Sequence, residues 1–383
     1  MRNRLRERRE QLHYSQEELA ELVGVSELTV RRWEAGQRPQ PLHLRQLCET
    51  LEAAPGELGF GASDDEPLRE AAEVAALAGA SEAGEGVLEI TAEAVDRLRR
   101  AYSRTPPEAL LRALQERLRV VRRLLEGQLR VGQRRELLDA AGWLSLELGT
   151  VYFDLDRSEP AHAWRDVALT LSQEAGDDEL RAWSWETPSW FAFAEQRFAD
   201  SVELAERGLG VAPGSSVEVA LYLQQARAWA RLRDTSAALE GIRRAARALE
   251  GLTEPKHLDD HYVFDPAKAD FFIAGAYALL DLAKPAEHHA REFIRQAGQL
   301  GSQNYWPVRV SSARMELGFA LLQQGRLDEA AAEAAEGFQA PMIHRGTLRR
   351  ARELDAALAV HGDIEEVRDF HERLEVAGSK VAG

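Results

Sequence analysis

The chain has 383 residues, 45% hydrophobic and 29% charged, with a net charge of −16 and a single cysteine, Cys48. That length exceeds one ordinary core and predicts two domains, or a domain followed by a repeat array. No run of eighteen apolar residues is present, the start MRNRLRERREQLHYSQEEL is charged where a secretion signal would be apolar, and one cysteine builds no disulfide framework; these features predict a cytoplasmic protein without a membrane span, with Cys48 as core filler.

Residues 1–60 read as a compact helical head. They hold nine arginines against ten glutamates, a balance of −1, so the rest of the chain carries −15. Local clustering matters more than the total. Arg2, Arg4, Arg6, Arg8 and Arg9 come early, and Arg31, Arg32 and Arg38 follow. A basic face can meet phosphate while the acidic remainder keeps non-specific binding low. In SQEELAELVGVSELTVRRWEAG, Ser15 and Glu18 have the spacing of a capping box opening a helix, and Gly24 ends it. Ser26 caps the next helix, in which Val30 and Trp33 face inward and Gly36 supplies a left-handed stop. Two short helices across a tight glycine turn predict helix-turn-helix geometry, with the second helix in the major groove.

Arg9, Ser15-Gln16, Leu19-Ala20, Gly24-Val25-Ser26, Val30, Trp33-Glu34, Gly36, Pro41 and Leu47 together make residues 1–59 resemble the XRE family, the Cro and phage-repressor type of helix-turn-helix. The resemblance implies a sequence-specific, double-stranded-DNA-binding transcriptional regulator. It implies that Gln16 anchors a phosphate, that Glu27, Leu28 and Arg32 reach base edges with Thr29 beside them, and that Arg9 pairs with Glu34 inside the head. Arg31, Arg32 and Arg38 are the physical candidates for guanine or phosphate contacts. Glu27 would accept from cytosine N4 yet repel phosphate, so the site preference of a relative does not transfer.

Residues 61–89 read as a linker, rich in Ala, Gly and acids, with a short helix expected at 68–78. From about residue 90 onward amphipathic helices alternate with short breaks. Small residues recur in pairs twelve apart: Gly149/Ala161, Ser189/Ser201, Ala226/Ala238, Ala274/Ala286 and Gly318/Ala330, with a degenerate Asp355/Val367. Tyr152, Ala192, Trp229, Tyr277 and Leu321 each follow a first member by three positions. Small residues at crossing points let helices approach, as when helix pairs stack into a solenoid. The predicted fold is all-α: a five-helix head and a TPR-like α-solenoid over 90–383. This region resembles the repeat domains of actinobacterial XRE regulators and, distantly, of peptide-pheromone receptor regulators. The resemblance implies a sensor or dimerisation role.

In such arrays the first helix of each pair lines the concave face. Helical stepping places Trp143, Thr150, Phe153, Trp183, Glu186, Trp190, Phe193, Arg227, Arg231, Lys268, Phe271, Met315 and Phe319 there, and Pro188 should kink its helix. Aromatics with a few basic groups suit a peptide or small-molecule effector; the alternative is that the rings fill the superhelix or a dimer interface. The segment HLDDHYVFD, with His257, Asp259, Asp260, His261 and Asp265, reads as an exposed polar loop rather than a metal site, and His289 with Glu292 lacks a second ligand set. No P-loop, GxGxxG, HExxH or GxSxG motif occurs, so neither an enzyme nor a cofactor is expected. The expected assembly is a homodimer on a palindromic operator, joined through C-terminal helices that include LDAALAVHGDIEEVRDFHERL. The alternative is a scaffold recruiting partner proteins to DNA.

Overall fold

The computed structural model describes residues 4–37, 39–53, 55–60, 84–253, 255, 257–299, 307–340 and 343–382. Every regular element among them is helical, as predicted. The chain divides into two compact units, residues 1–75 and 76–383. The helix expected at 68–78 lies outside the described residues.

The first unit contains α1 (Arg4–Gln11), α2 (Gln16–Val23), α3 (Glu27–Glu34) and α4 (Pro41–Thr50). Its local chemistry explains each boundary. Ser15 accepts from the Glu18 amide while the Glu18 carboxylate accepts from the Ser15 amide, completing the capping box. Gly24 sits at φ 72°, ψ 36°, the left-handed geometry that stops α2 within one residue. Ser26 then caps α3 through the Thr29 amide. Leu19, Val23, Val30, Trp33, Leu47 and Leu51 form a shared core. A fifth helix is not found among the described residues of 1–60. Residues 55–59 form turns instead, because Pro55 lacks a donor and Gly56 and Gly59 disfavour helix; Leu58 and Phe60 close the core from there.

The second unit opens with α5 (Glu85–Ala101) and α6 (Pro107–Leu125). Six helix pairs follow: α7 (Val131–Asp154) with α8 (Ser158–Ala175), α9 (Asp178–Ala194) with α10 (Phe198–Gly208), α11 (Ser216–Arg231) with α12 (Thr235–Glu250), α13 (Pro266–Leu279) with α14 (Ala283–Gln299), α15 (Pro307–Leu322) with α16 (Leu327–Glu336), and α17 (Arg345–Leu358) with α18 (Glu365–Ala382). Consecutive helices pack together, and the first helices α7, α9, α11, α13, α15 and α17 also pack along the array in chain order. That is the stacking expected of a solenoid.

The small-residue pairs sit where predicted, at crossings. A Cβ on Gly149 would lie 3.0 Å from the Ala161 carbonyl oxygen, and one on Gly318 would lie 2.7 Å from Leu354 and 3.1 Å from the Ala330 carbonyl. The Ser189 hydroxyl donates to the Ser201 carbonyl at 2.7 Å. Each turn inside a pair also repeats in its backbone. Seven positions after the first small residue, Asp156, Gln196, Arg233, Asp281 and Gly325 all have positive φ, between 58° and 76°. The following amide, of Arg157, Arg197, Asp234, Leu282 and Arg326, donates back to the carbonyl of Tyr152, Ala192, Trp229, Tyr277 and Leu321 respectively. This is the Schellman closure of a helix end, made five times. α9 continues as one helix through the buried Pro188.

Candidate nucleic-acid interface and solenoid cavity

In the head, a polar chain ties three helices together. Arg9 Nε on α1 donates to Glu34 Oε1 at 2.7 Å, with both side chains more than nine-tenths buried. Arg9 Nη1 also donates to the Tyr14 carbonyl. Gln16, the first residue of α2, donates through Nε2 to Glu34 Oε2 at 2.6 Å and accepts from Arg31 Nε at 3.1 Å. Arg31 in turn donates to Glu27 one turn back. Every link is charge-assisted or amide-bridged, so α3 is fixed to α1 and α2 by directional bonds as well as by the apolar core.

This network sorts the predicted contact residues. Gln16 is half-buried and its amide is engaged at both ends. Arg31 is exposed but committed to Gln16 and Glu27, and Glu27 and Thr29 are half-buried, with Thr29 hydrogen-bonded to Ser26. Leu28, 56% exposed, and Arg32, exposed with no hydrogen bond or ion pair among the described residues, project freely from α3. An apolar tip beside an uncommitted guanidinium is suited to a thymine methyl and a guanine edge. Arg38 lies outside the described residues.

The second unit encloses a cavity of about 630 Å³. Phe153, Trp183, Glu186, Trp190, Phe193, Arg227, Arg231 and Phe271, all placed on the inner face by helical stepping, line it. Phe153 stacks on Phe191 at 4.1 Å and meets Trp190 edge-on at 5.2 Å. Burial pushes Glu186 up to about 7, against the pull of Arg227 and Arg309, and lowers Arg227 to about 10. Sequence reasoning missed the opposite wall: Tyr102, His261, Arg309, Arg349 and Arg350 also line the cavity. The Tyr102 hydroxyl donates to Asp154 at 2.7 Å, and His344 lies 3.5 Å from the other Asp154 oxygen. Nothing local in the sequence signals these residues, since they come from α5, a loop and the last repeats.

Five residues predicted for the inner face do not line this cavity. Trp143 is covered by Arg99, 4.0 Å above its ring, and by Tyr262, and its Nε1 donates to Asp177. Lys268 is 1% exposed, with Nζ donating to the carbonyls of Asp260 and Val263. Phe319 lies under Arg350, 3.5 Å from the guanidinium carbon, and supports the wall from behind. Thr150 and Met315 are core residues. One cause accounts for Trp143, Thr150 and Lys268. The segment HLDDHYVFD is no exposed loop: Asp259, Asp260, Tyr262, Phe264 and Asp265 are buried, and the segment plugs that end of the concave face. Its acids are drawn in by α5, Asp259 pairing with Arg100 and Arg104, and Asp260 with Arg99. Among the described residues no acid, histidine or cysteine cluster could hold a metal.

A capped helix-turn-helix followed by stacked helix pairs defines a helix-turn-helix protein with a helical-repeat domain. Residues 5–58 match the helix-turn-helix family. No curated protein matches the chain. Among solved structures, BtubC (BKLC) from P. vanneervenii is similar over 61% of this chain and 91% of its own, with 16% identity and a TM-score of 0.41. A monomeric IFIT1 mutant with m7Gppp-AAAA is similar over 97% of this chain and 94% of its own, with 13% identity and a TM-score of 0.35. No described helix is long and apolar enough to cross a membrane.

Proposed function

We propose that this chain is a sequence-specific DNA-binding transcriptional regulator whose helical array holds a small effector. The observation that carries the reading is the presentation of Leu28 and Arg32 on α3, a helix locked in place by Arg9, Glu34 and Gln16. A rigid recognition helix loses little entropy on docking and reads base edges reproducibly. One head of this size makes few base contacts, so a homodimer on two half-sites about one helical turn apart gives the needed selectivity. The array's role as effector domain is supported by its cavity, whose size and aromatic walls suit a small ligand. An effector regulates only if its affinity differs between states of the protein that bind DNA differently.

Selection of random duplex DNA by the full chain tests this. The expected result is one enriched, two-fold symmetric sequence, with selectivity lost in Arg32→Ala. Recovery of unenriched DNA by a folded chain would reject the reading, and stoichiometric capture of a partner protein at DNA without sequence preference would favour a scaffold.

A further inference from the structure

We propose that the cavity binds a small organic monocarboxylate, its carboxylate held by Arg227 and its apolar body lying against Phe193, Trp190 and Phe272. This rests on the reading of the array as an effector domain and names the ligand class.

Three arginines of the wall pair with acids of the same wall. Arg231 pairs with Glu353 at 2.9 Å, Arg345 with Asp156, and Arg350 with Glu316 at 2.8 Å. Arg349 donates to the Ala194 carbonyl, and Arg227 is held in a third way. Its guanidinium carbon lies 4.4 Å from the Phe193 ring centre and 5.2 Å from that of Phe272, and among the described residues its hydrogen bond is a 3.4 Å contact to Gln224 Oε1. Glu316 exerts a field on Arg227, but both its oxygens are taken by Arg350. Aromatic rings thus fix the guanidinium without neutralising it. A buried guanidinium that feels Glu316 and Glu186 only at a distance keeps its N–H donors poorly matched, and a ligand carboxylate supplies paired N–H···O bonds. A neutral ligand leaves the charge uncompensated, and an amine is repelled.

Glu186 is the second group of the cavity that selects among ligands. It lines the same cavity with no hydrogen bond among the described residues, and the charged groups acting on it are Arg227 from α11 and Arg309 from α15. Ionised, it would repel a bound acid. Burial raises it to about 7, so its neutral form is accessible near neutrality and can donate a hydrogen bond to the ligand. Acid binding is therefore coupled to proton uptake and strengthens as pH falls from 8 to 6.

Calorimetric titration of the full chain with 4-phenylbutyrate, 4-phenylbutyramide and 4-phenylbutylamine tests the assignment. The acid should bind at least about tenfold tighter than the amide, and the amine weakest of the three. Arg227→Gln should erase the preference for acid over amide. That variant could lose its fold, so Glu186→Gln provides an independent reading: at pH 8 it should bind the acid several-fold more tightly than the parent, a gain that misfolding cannot produce. Equal affinity for acid and amide, weaker acid binding by Glu186→Gln, or no acid binding at millimolar concentration overturns the proposal. A parallel DNA titration separates the two readings. Acid binding without any change in DNA affinity rejects the effector role and leaves this site standing. No acid binding by a chain that still selects DNA rejects this site alone.

Discussion

The head and one corner of the array's cavity handle buried charge in opposite ways. In the head, Arg9, Glu34, Gln16, Arg31 and Glu27 form a continuous chain in which each group has a partner. In the array's cavity, Arg227 leans on rings and Glu186 is pushed up to about 7 by burial rather than paired. A satisfied network rigidifies; an unsatisfied one stores free energy that a complementary group can release. On the proposed reading, the contrast separates a surface that holds one shape from a cavity that takes a ligand.

The largest expected effect comes from breaking the head's network. Glu34→Ala strands the buried Arg9 guanidinium and should lower head stability by about 3–5 kcal/mol. Amide exchange across residues 16–34 of the full chain should accelerate to match, with no change in α7–α16; equal acceleration in both regions would deny that the network is local.

Next is Glu186, where the contrast can be inverted. Its folded value of about 7 lies above the ordinary 4.5, so the folded protein retains a proton that the unfolded chain releases. Stability of the array therefore falls as pH rises from about 4.5 through 7, by up to about 3 kcal/mol. Glu186→Gln should remove that share of the slope while Asp139, Glu147 and Asp154, carboxyls likewise raised by burial, keep theirs, leaving the array more stable than the parent at pH 8 and similar at pH 4 in urea unfolding. A parallel slope in both proteins would assign the titration elsewhere.

A smaller loss is expected from geometry alone. Gly149→Val places atoms against the Ala161 carbonyl and the Arg165 amide, both backbone groups that cannot step aside. Separation of α7 from α8 should cost about 1–3 kcal/mol, read as faster exchange in those two helices.

The smallest change in stability belongs to Arg32→Ala, within about 0.5 kcal/mol for an exposed side chain. Its discrimination between DNA sequences should nonetheless drop by about 1–3 kcal/mol. Arg31→Ala serves as the control: through Gln16 it should weaken binding to all sequences alike, measured by fluorescence anisotropy on the selected and a scrambled duplex.

What the sequence disclosed follows the range of the forces involved. Ser15, Glu18, Gly24 and Ser26 act within four residues of themselves, so the head's helix boundaries were legible. The twelve-residue pairing of small side chains disclosed the stacking for the same reason. Helical stepping also found most of one cavity wall, since Phe153, Trp183, Trp190 and Phe193 share faces of α7 and α9. It failed at Trp143 and Lys268 because a helix face says nothing about what a distant loop will cover. The pairing of Asp259 with Arg100 spans 159 residues, and no local pattern announces it. The recurrent left-handed residue escaped notice too, because Asp156, Gln196, Arg233 and Asp281 share a backbone angle and no side-chain type.

That recurring turn has a mechanical consequence. Within each of the first five pairs, the distance from first small residue to second is constant and the joint is closed by the same backbone bond, whereas these pairs begin 37 to 48 residues apart. Length variation thus falls outside the closed corner, in second helices of 10 to 18 residues and in the joints between pairs, so each corner is a stiff link in a chain of hinges. Work done on the array by a bound molecule would be taken up at those joints. The most displaced segment would then be the one with the longest interval, between Ala226 and Ala274, which contains both the plug and the approach to α13.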